Sequence, residues 1–168
     1  IESMSLSSNS MVNGYFTELA IEHPDGTEER YPELEFDTDT SFFSTMHIHL
    51  VEGLQPADVL KKYGTSFYIN ERYARLKNVS SEDFGQKTLQ DILPRVRVKY
   101  ILTGMIENYP TASLQKEINP QRITVRDSGD TYLGQIGKYV LIRLQPEKRK
   151  VTLERIERIW KEMFNGQD

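Results

Sequence analysis

Residues 95–106 contain the pattern that most constrains the fold. Cations and apolar residues alternate strictly through Arg-Val-Arg-Val-Lys-Tyr at 95–100, and residues 101–106 are mostly apolar. A period of two residues is typical of a strand with one face in water, and a short apolar run is typical of a strand buried on both faces. We therefore expect one strand with Arg95, Arg97 and Lys99 on a wet face, continuing into the middle of a sheet.

Short strand-like and helix-like segments alternate along the rest of the chain. A Pro-Asp-Gly turn at 24–26 separates two runs of polar and apolar residues, which predicts a hairpin whose first run includes Tyr15, Leu19 and Ile21. Pro56 indicates the start of a helix and Gly64 its end. Further strands are predicted at residues 47–51, 66–70, 121–127 and 137–144. This mixture predicts the α+β class.

A closing helix is predicted at residues 151–164. Leu153, Ile156, Trp160 and Met163 recur at helical spacing, and Asn-Gly at 165–166 is a stop signal. Because apolar stripes usually face the protein interior, we expect Trp160 to lie in the core and not to stack on a ligand.

Composition excludes several classes of protein. The formal net charge of −4 offers no basic surface for a phosphate backbone or polybasic membrane anchor, so we predict no nucleic-acid partner. With no cysteine, the chain has neither disulfides nor thiolate sites. No apolar run approaches the roughly 20 residues of a membrane helix. The opening residues resemble a strand without initiator or signal, so we interpret the chain as a piece of a longer protein.

Histidines offer the nearest approach to a metal site. His47 and His49 would share one face of a strand and Glu52 the other, which is a poor ligand geometry, so ordinary half-buried or surface histidines are expected. The remaining histidine, His23, lies beside a turn, and no Gly-x-Ser-x-Gly motif supplies a nucleophile for it.

Glycine and carboxylate clusters also lack the context of a known site. Gly134 and Gly137 are spaced Gly-x-x-Gly without a following Lys-Ser/Thr, and loop glycines are expected. An acidic run lacks the glycine and terminal glutamate of a calcium loop, and we expect a solvated turn there; it comprises Glu33, Glu35, Asp37 and Asp39. We predict no catalytic, cofactor-binding or metal-binding residue, and hence a binding or mechanical function and not an enzyme.

Several separated segments together resemble the periplasmic core domain of MacB-like and FtsX-like ABC-transporter permeases. Residues 39–53 read Asp-Thr-Ser-Phe-Phe-Ser-Thr-Met-His-Ile-His-Leu-Val-Glu-Gly, similar to the segment that precedes the family's middle lobe. Ile-Asn-Glu at 69–71 and Gly-Gln-Lys-Thr-Leu at 85–89 resemble the next two motifs. Residues 102–109 resemble the family's Ile-x-Gly-Val-Val-x-Asp-Phe strand, and residues 113–120 resemble its Ser-Leu-x-x-x-Ile-x-Pro segment. Tyr-Val-Leu-Ile-Arg-Leu at 139–144 and the closing helix, with Trp160 and Phe164, complete the order.

The resemblance implies a two-lobed α+β domain. Residues 1–47 and 126–168 would form an outer, porter-like lobe carried on membrane helices, and residues 48–125 an inserted middle lobe. It also implies a periplasmic location on an inner-membrane protein, an ATPase subunit or domain as partner, and a periplasmic adaptor or lipoprotein as a second partner. ATP hydrolysis in the cytoplasm would then drive efflux, lipoprotein release or partner regulation. We expect the isolated domain to be monomeric and to need no cofactor.

An alternative resemblance covers a sixth of the chain. Residues 69–94 are similar to part of a PAS sensory domain, with Asn before a helix and a Ser-x-Glu-Asp turn, although Gln86 interrupts the Gly-Lys-Thr that follows. This resemblance implies an extracytoplasmic sensor that holds a small ligand. A secreted binding or adhesion domain is a third hypothesis. Membrane spans on both sides of the segment in the full gene would favour the permease.

Overall fold

The chain is described by a computed structural model that covers residues 1–10, 16–110 and 117–163. Within these residues, eight strands are present: β1 Ser3–Ser7, β2 Phe16–Glu22, β3 Glu28–Thr38, β4 Leu50–Gly53, β5 Ser66–Asn70, β6 Ile101–Ile106, β7 Gln121–Val125 and β8 Tyr139–Arg143. The α-helices are α1 Phe42–Met46, α2 Pro56–Tyr63, α3 Glu71–Lys77, α4 Leu89–Ile92, α5 Thr131–Ile136 and α6 Arg149–Met163. Short 3-10 turns lie at Ser81–Asp83 and Pro146–Lys148. The predicted α+β class is confirmed.

All eight strands belong to one mixed sheet. Its order is β4-β6-β5-β7-β3-β1-β8, with β2 paired to β3. The β5–β6 and β3–β7 pairs are parallel and the other pairs are antiparallel. Strands from residues 48–125 are neighbours at one end of the sheet and the remaining strands lie at the other, so the β3–β7 pair joins the two predicted segments. The division into two lobes stays a prediction.

Each face of the sheet carries its own apolar core, because successive strand residues point to opposite sides. β5 is buried throughout: Tyr68 lies in one core, and Phe67 and Ile69 in the other. The first core comprises Leu34, Phe36, Phe42, Phe43, Ile48, Val59, Tyr68, Ile106, Ile123 and Val125. The second comprises Leu19, Phe67, Ile69, Tyr73, Ala74, Leu89, Ile92 and Leu102.

Local signals placed several elements correctly. The hairpin of β2 and β3 turns at Gly26, whose φ of 83° is a conformation that glycine adopts readily. Pro56 begins α2, and Gly64 is its C-cap. Some residues of the predicted elements lie outside the described residues. They are Tyr15, residues 113–116 of the motif at 113–120, Phe164 and the Asn-Gly pair at 165–166.

The strand prediction at residues 95–100 was wrong. The ladder begins at Ile101, which pairs with Ser66, the first residue of β5. The neighbouring strand therefore offers no partner to residues further upstream. The Tyr100 carbonyl instead accepts a hydrogen bond from the Leu89 amide at the start of α4. The alternating sequence pattern is compatible with a strand, but a strand also needs a neighbouring strand to pair with.

The predicted strand at residues 47–51 also begins too early. His47 is the C-cap of α1 in the left-handed conformation, with φ 53°, and its amide bonds back to helix carbonyls. The strand starts only at Leu50. Among the described residues, no helix has the combined length and apolar character that a bilayer crossing requires.

Candidate functional site

The acidic run is a row of buried and partly buried carboxylates, mostly on β3, and not the solvated turn that we predicted. Glu33, Glu35 and Asp37 are two residues apart, so they lie on the same face of the strand. The Glu33 side chain is only 2% exposed. A buried carboxylate needs a cation or several hydrogen bonds, and the parallel neighbour β7 supplies the cations.

Arg122 binds two members of the row at once. Its Nε donates to Glu33 Oε1 at 2.8 Å, and its Nη2 lies 2.7 Å from Glu35 Oε2. The Arg122 side chain is 8% exposed. Burial acts to lower its pKa, but the two carboxylates outweigh burial and hold the pKa of Arg122 above its usual value. The guanidinium therefore stays charged.

The pKa of Glu35 is shifted upward, and burial is the main cause. Burial raises the pKa of Glu35, Arg122 opposes that effect, and the neighbouring Glu33 and Asp37 add to the rise. Its carboxyl group thus takes up a proton more readily than an exposed glutamate would.

Arg126, the residue that follows β7, extends the network past the end of the strand. Its Nε donates to Asp37 Oδ1 at 2.7 Å and its Nη2 to the Tyr100 hydroxyl at 2.9 Å. Its guanidinium lies 4.4 Å from the centre of the Tyr132 ring on α5. Asp130, the N-cap of α5, is 3.7 Å away. We call Glu33, Glu35, Asp37, Arg122 and Arg126 the β3–β7 clasp.

Asp39 continues the row without a cation. Its carboxylate accepts hydrogen bonds from Ser5 Oγ at 2.8 Å, the Leu6 amide at 2.9 Å and the Ser41 amide at 2.9 Å. These donors tie β1 to the end of β3 and the start of α1. The acidic row therefore connects three neighbouring strands, and each of its four carboxylates has an internal partner.

A second feature brings together two glycines of the permease-like motifs. Gly53 on β4 and Gly104 on β6 are register partners. A Cβ on Gly53 would lie 2.4 Å from the Thr103 carbonyl oxygen, and one on Gly104 would lie 2.6 Å from the Glu52 carbonyl oxygen. Gly53 also has φ 117°. Only glycine fits this close crossing without movement of the backbone.

Other motif residues also support one another. Phe43 on α1 packs edge-on against Tyr68 of β5, with ring centres 4.8 Å apart. Asn70, from the Ile-Asn-Glu motif, caps α3 by accepting the Tyr73 amide at 3.0 Å. The same oxygen accepts the Gln121 amide at 3.0 Å, so it also fixes the start of β7.

The histidines do not come together as a cluster. His47 Nδ1 lies 3.1 Å from Arg143 Nη1, and the His49 amide donates to Glu107 Oε1 at 3.2 Å. Glu52 is exposed on β4. Across residues 1–10, 16–110 and 117–163, no group of three or more histidines, cysteines or carboxylates is arranged to hold a metal ion.

Two other predictions need correction. Gly134 lies inside α5 and not in a loop, while Gly137 is the C-cap of that helix. Trp160 is 59% exposed, so it does not lie in the core. A helical stripe shows which face of a helix is apolar, but it does not say whether the fold covers that face.

Sequence reasoning missed Arg122 and Arg126. A usable signal was present, since the two arginines are four residues apart in a predicted strand and therefore share a face. The carboxylates of 33–37 share a face for the same reason. Matching the two rows required the β3–β7 pairing, which brings Glu33 and Arg122 together from positions 89 residues apart.

Comparisons with known proteins gave structural neighbours only. No family model matches the chain, and no curated protein sequence matches it. Among the solved structures that resemble the chain are the following two. One is a domain of a protein described as a permease from Porphyromonas gingivalis, with 12% identity and a TM-score of 0.45, covering 92% of this chain and 68% of that one. The other is the periplasmic region of MacB from Actinobacillus actinomycetemcomitans, with 11% identity and a TM-score of 0.39, covering 92% and 76%.

Proposed function

We propose that this chain is the periplasmic domain of an ABC-transporter permease. In this proposal a separate subunit or domain hydrolyses ATP in the cytoplasm, and the domain carries the resulting motion and performs no reaction itself. The observation that carries the proposal is the contact between Gly53 and Gly104. These glycines belong to two motifs of the permease resemblance that are 51 positions apart in the chain, and a Cβ at either one would clash with the backbone of the opposite strand.

In this proposal, the β3–β7 clasp transmits force between the predicted outer and middle segments. It lies where the predicted outer and middle segments meet, and its Arg122 pairs with Glu33 and Glu35 add side-chain links across the backbone ladder of that junction. A buried pair is costly to break singly. Displacement of the outer segment would therefore move β7 and the strands beyond it. Efflux of a substrate, release of a lipoprotein and regulation of a periplasmic partner are all uses of such movement.

The test uses the full-length protein encoded by the gene. Topology reporters fused before residue 1 and after residue 168 should place membrane spans on both sides, with this domain in the periplasm. An affinity tag on the permease should copurify a nucleotide-binding ATPase unless that domain is on the same chain. A full-length protein without membrane spans would overturn the proposal.

A small-ligand sensor is the second candidate function. An open groove of about 580 Å³ lies between β2 and the segment after α4, beside the PAS-like residues 69–94, and it includes Ile21, Leu76 and Val96. A thermal-shift screen tests this candidate, because a ligand at 100 times its Kd stabilises a protein by about 2.7 kcal/mol. A kinase or helical linker in the full gene would favour the sensor.

A further inference from the structure

Helix α6 is the most exposed α-helix of the described structure. It is 15 residues long, and none of its residues is buried. Isolated helices of this length are marginally stable in water, and most helices in proteins gain stability by burying an apolar face. The exposed face of α6 therefore calls for a partner.

The apolar residues of α6 form a continuous stripe. At 100° per residue, Leu153, Ile156, Ile159, Trp160 and Met163 fall within about a third of the helix circumference. All except Ile156 are exposed, and Met163 is 69% exposed. The charged residues from 150 to 162 occupy the opposite side. This division between apolar and charged faces is typical of helices that lie at a membrane surface.

Charge distinguishes between two partners that could cover this stripe, a second copy of α6 and an anionic surface. The helix has five basic residues, Arg149, Lys150, Arg155, Arg158 and Lys161, against three acidic ones, Glu154, Glu157 and Glu162. Its net charge is thus positive, whereas the whole chain carries −4. A second copy of α6 would bring the same positive excess and would be repelled. An anionic surface would be attracted.

Internal ion pairs leave that positive excess available. Lys161 bonds Glu157 at 2.7 Å, and Arg158 lies 3.9 Å from Glu162. These pairs occupy two of the three acidic side chains. Within the described residues, Arg149, Lys150 and Arg155 form no ion pair within 4 Å.

We propose that α6 binds the surface of an anionic lipid bilayer, with its apolar stripe in the interface and its cations at the level of the headgroups. This inference rests on the helix alone and not on the permease proposal. Apolar burial would supply part of the affinity, and headgroup attraction would make binding selective for anionic lipid and sensitive to salt.

The fluorescence of the 168-residue chain can be used to follow its binding to lipid. Trp160 is the only tryptophan, so its emission should shift to the blue when α6 enters the interface. We expect cosedimentation with vesicles of phosphatidylglycerol and phosphatidylcholine to exceed that with phosphatidylcholine alone by roughly tenfold or more. Salt at about 1 M shortens the Debye length to about 3 Å and should reduce this preference.

Two matched substitutions test the orientation. Leu153→Asp places a carboxylate on the stripe, whereas Val151→Asp makes the same charge change at an exposed position off the stripe. Leu153→Asp should lose most vesicle binding, and Val151→Asp should lose much less. Circular dichroism checks that both variants fold. Equal losses of vesicle binding in the two variants would overturn the proposal, and so would no binding of the original chain to the anionic vesicles. A blue-shifted Trp160 emission without lipid, together with a dimer in sedimentation, would also overturn it.

Discussion

Arg122 Nε lies 2.8 Å from Glu33 Oε1, and both side chains are more than nine-tenths buried. The pair joins positions 89 residues apart in the chain, across the parallel ladder at which the two predicted segments meet. A buried ion pair contributes little net stability compared with a well-packed apolar pair, but the loss of one partner leaves an uncompensated charge. We therefore expect the clasp to favour this pairing of strands more than it adds to total stability.

Arg122→Met should lower the free energy of unfolding by about 3–5 kcal/mol, because Glu33 would stay buried without a cation. Urea denaturation followed by far-UV circular dichroism measures the loss. Arg158→Met is the control, since Arg158 and Glu162 are both about two-thirds exposed, and an exposed pair contributes less than about 1 kcal/mol. If both variants lost equally little, the buried pair would have no structural role.

Glu35→Gln should have an effect that depends on pH. Burial raises the pKa of the folded-state Glu35 carboxyl, despite Arg122. The folded chain thus binds this proton more tightly than the unfolded chain. The resulting stability is fully present below the unfolded pKa and is lost as pH rises through the folded pKa. The free energy of unfolding of the variant, relative to that of the original chain, should therefore increase with pH across that window. Urea titrations at several pH values measure this difference. A relative stability that fell with pH would contradict the burial argument.

Gly104→Ala should destabilise the chain by about 2–3 kcal/mol, the cost of forcing extra atoms into a packed site. The added Cβ would meet the Glu52 carbonyl at 2.6 Å and the Tyr68 ring at 3.1 Å. Gly134→Ala is the matched control, because its Cβ would have nothing within 4 Å. Alanine inside a helix should stabilise it by up to about 1 kcal/mol. Thermal unfolding of the two variants should move in opposite directions.

Local sequence signals predicted the elements that local contacts determine. Pro56 and Gly64 mark the ends of α2, and the apolar run at 66–70 is a buried strand. The same reasoning failed where a distant partner decides the outcome. Residues 95–100 alternate as a strand does, but β5 begins opposite Ile101 and leaves them without a ladder.

The candidate site was harder to predict, for the same physical reason. A carboxylate row at positions 33–37 is equally compatible with a solvated face and with a buried ion network. The choice depends on whether the neighbouring strand carries cations at matching heights. Arg122 stands beside Glu35 only because β3 and β7 pair in parallel in this register.

Asn70→Ala should be among the more damaging polar substitutions outside the clasp. Asn70 is fully buried; its Oδ1 accepts the Tyr73 and Gln121 amides, and its Nδ2 donates to the Asn119 carbonyl at 3.0 Å. Alanine would remove the α3 cap, at about 1 kcal/mol, and leave buried groups at the start of β7 unpaired, at about 1–3 kcal/mol.

Thr88→Ala is the control for Asn70→Ala, because Thr88 is half-buried and, among the described residues, its side chain bonds only within the α4 cap. Its loss should cost about 1 kcal/mol. Amide hydrogen exchange distinguishes the two roles: in Asn70→Ala, protection should fall in both α3 and β7, whereas in Thr88→Ala it should fall near α4 alone. Loss of protection confined to α3 in Asn70→Ala would show that the Gln121 contact does not hold the start of β7. The Ile-Asn-Glu motif would then act only as a helix cap.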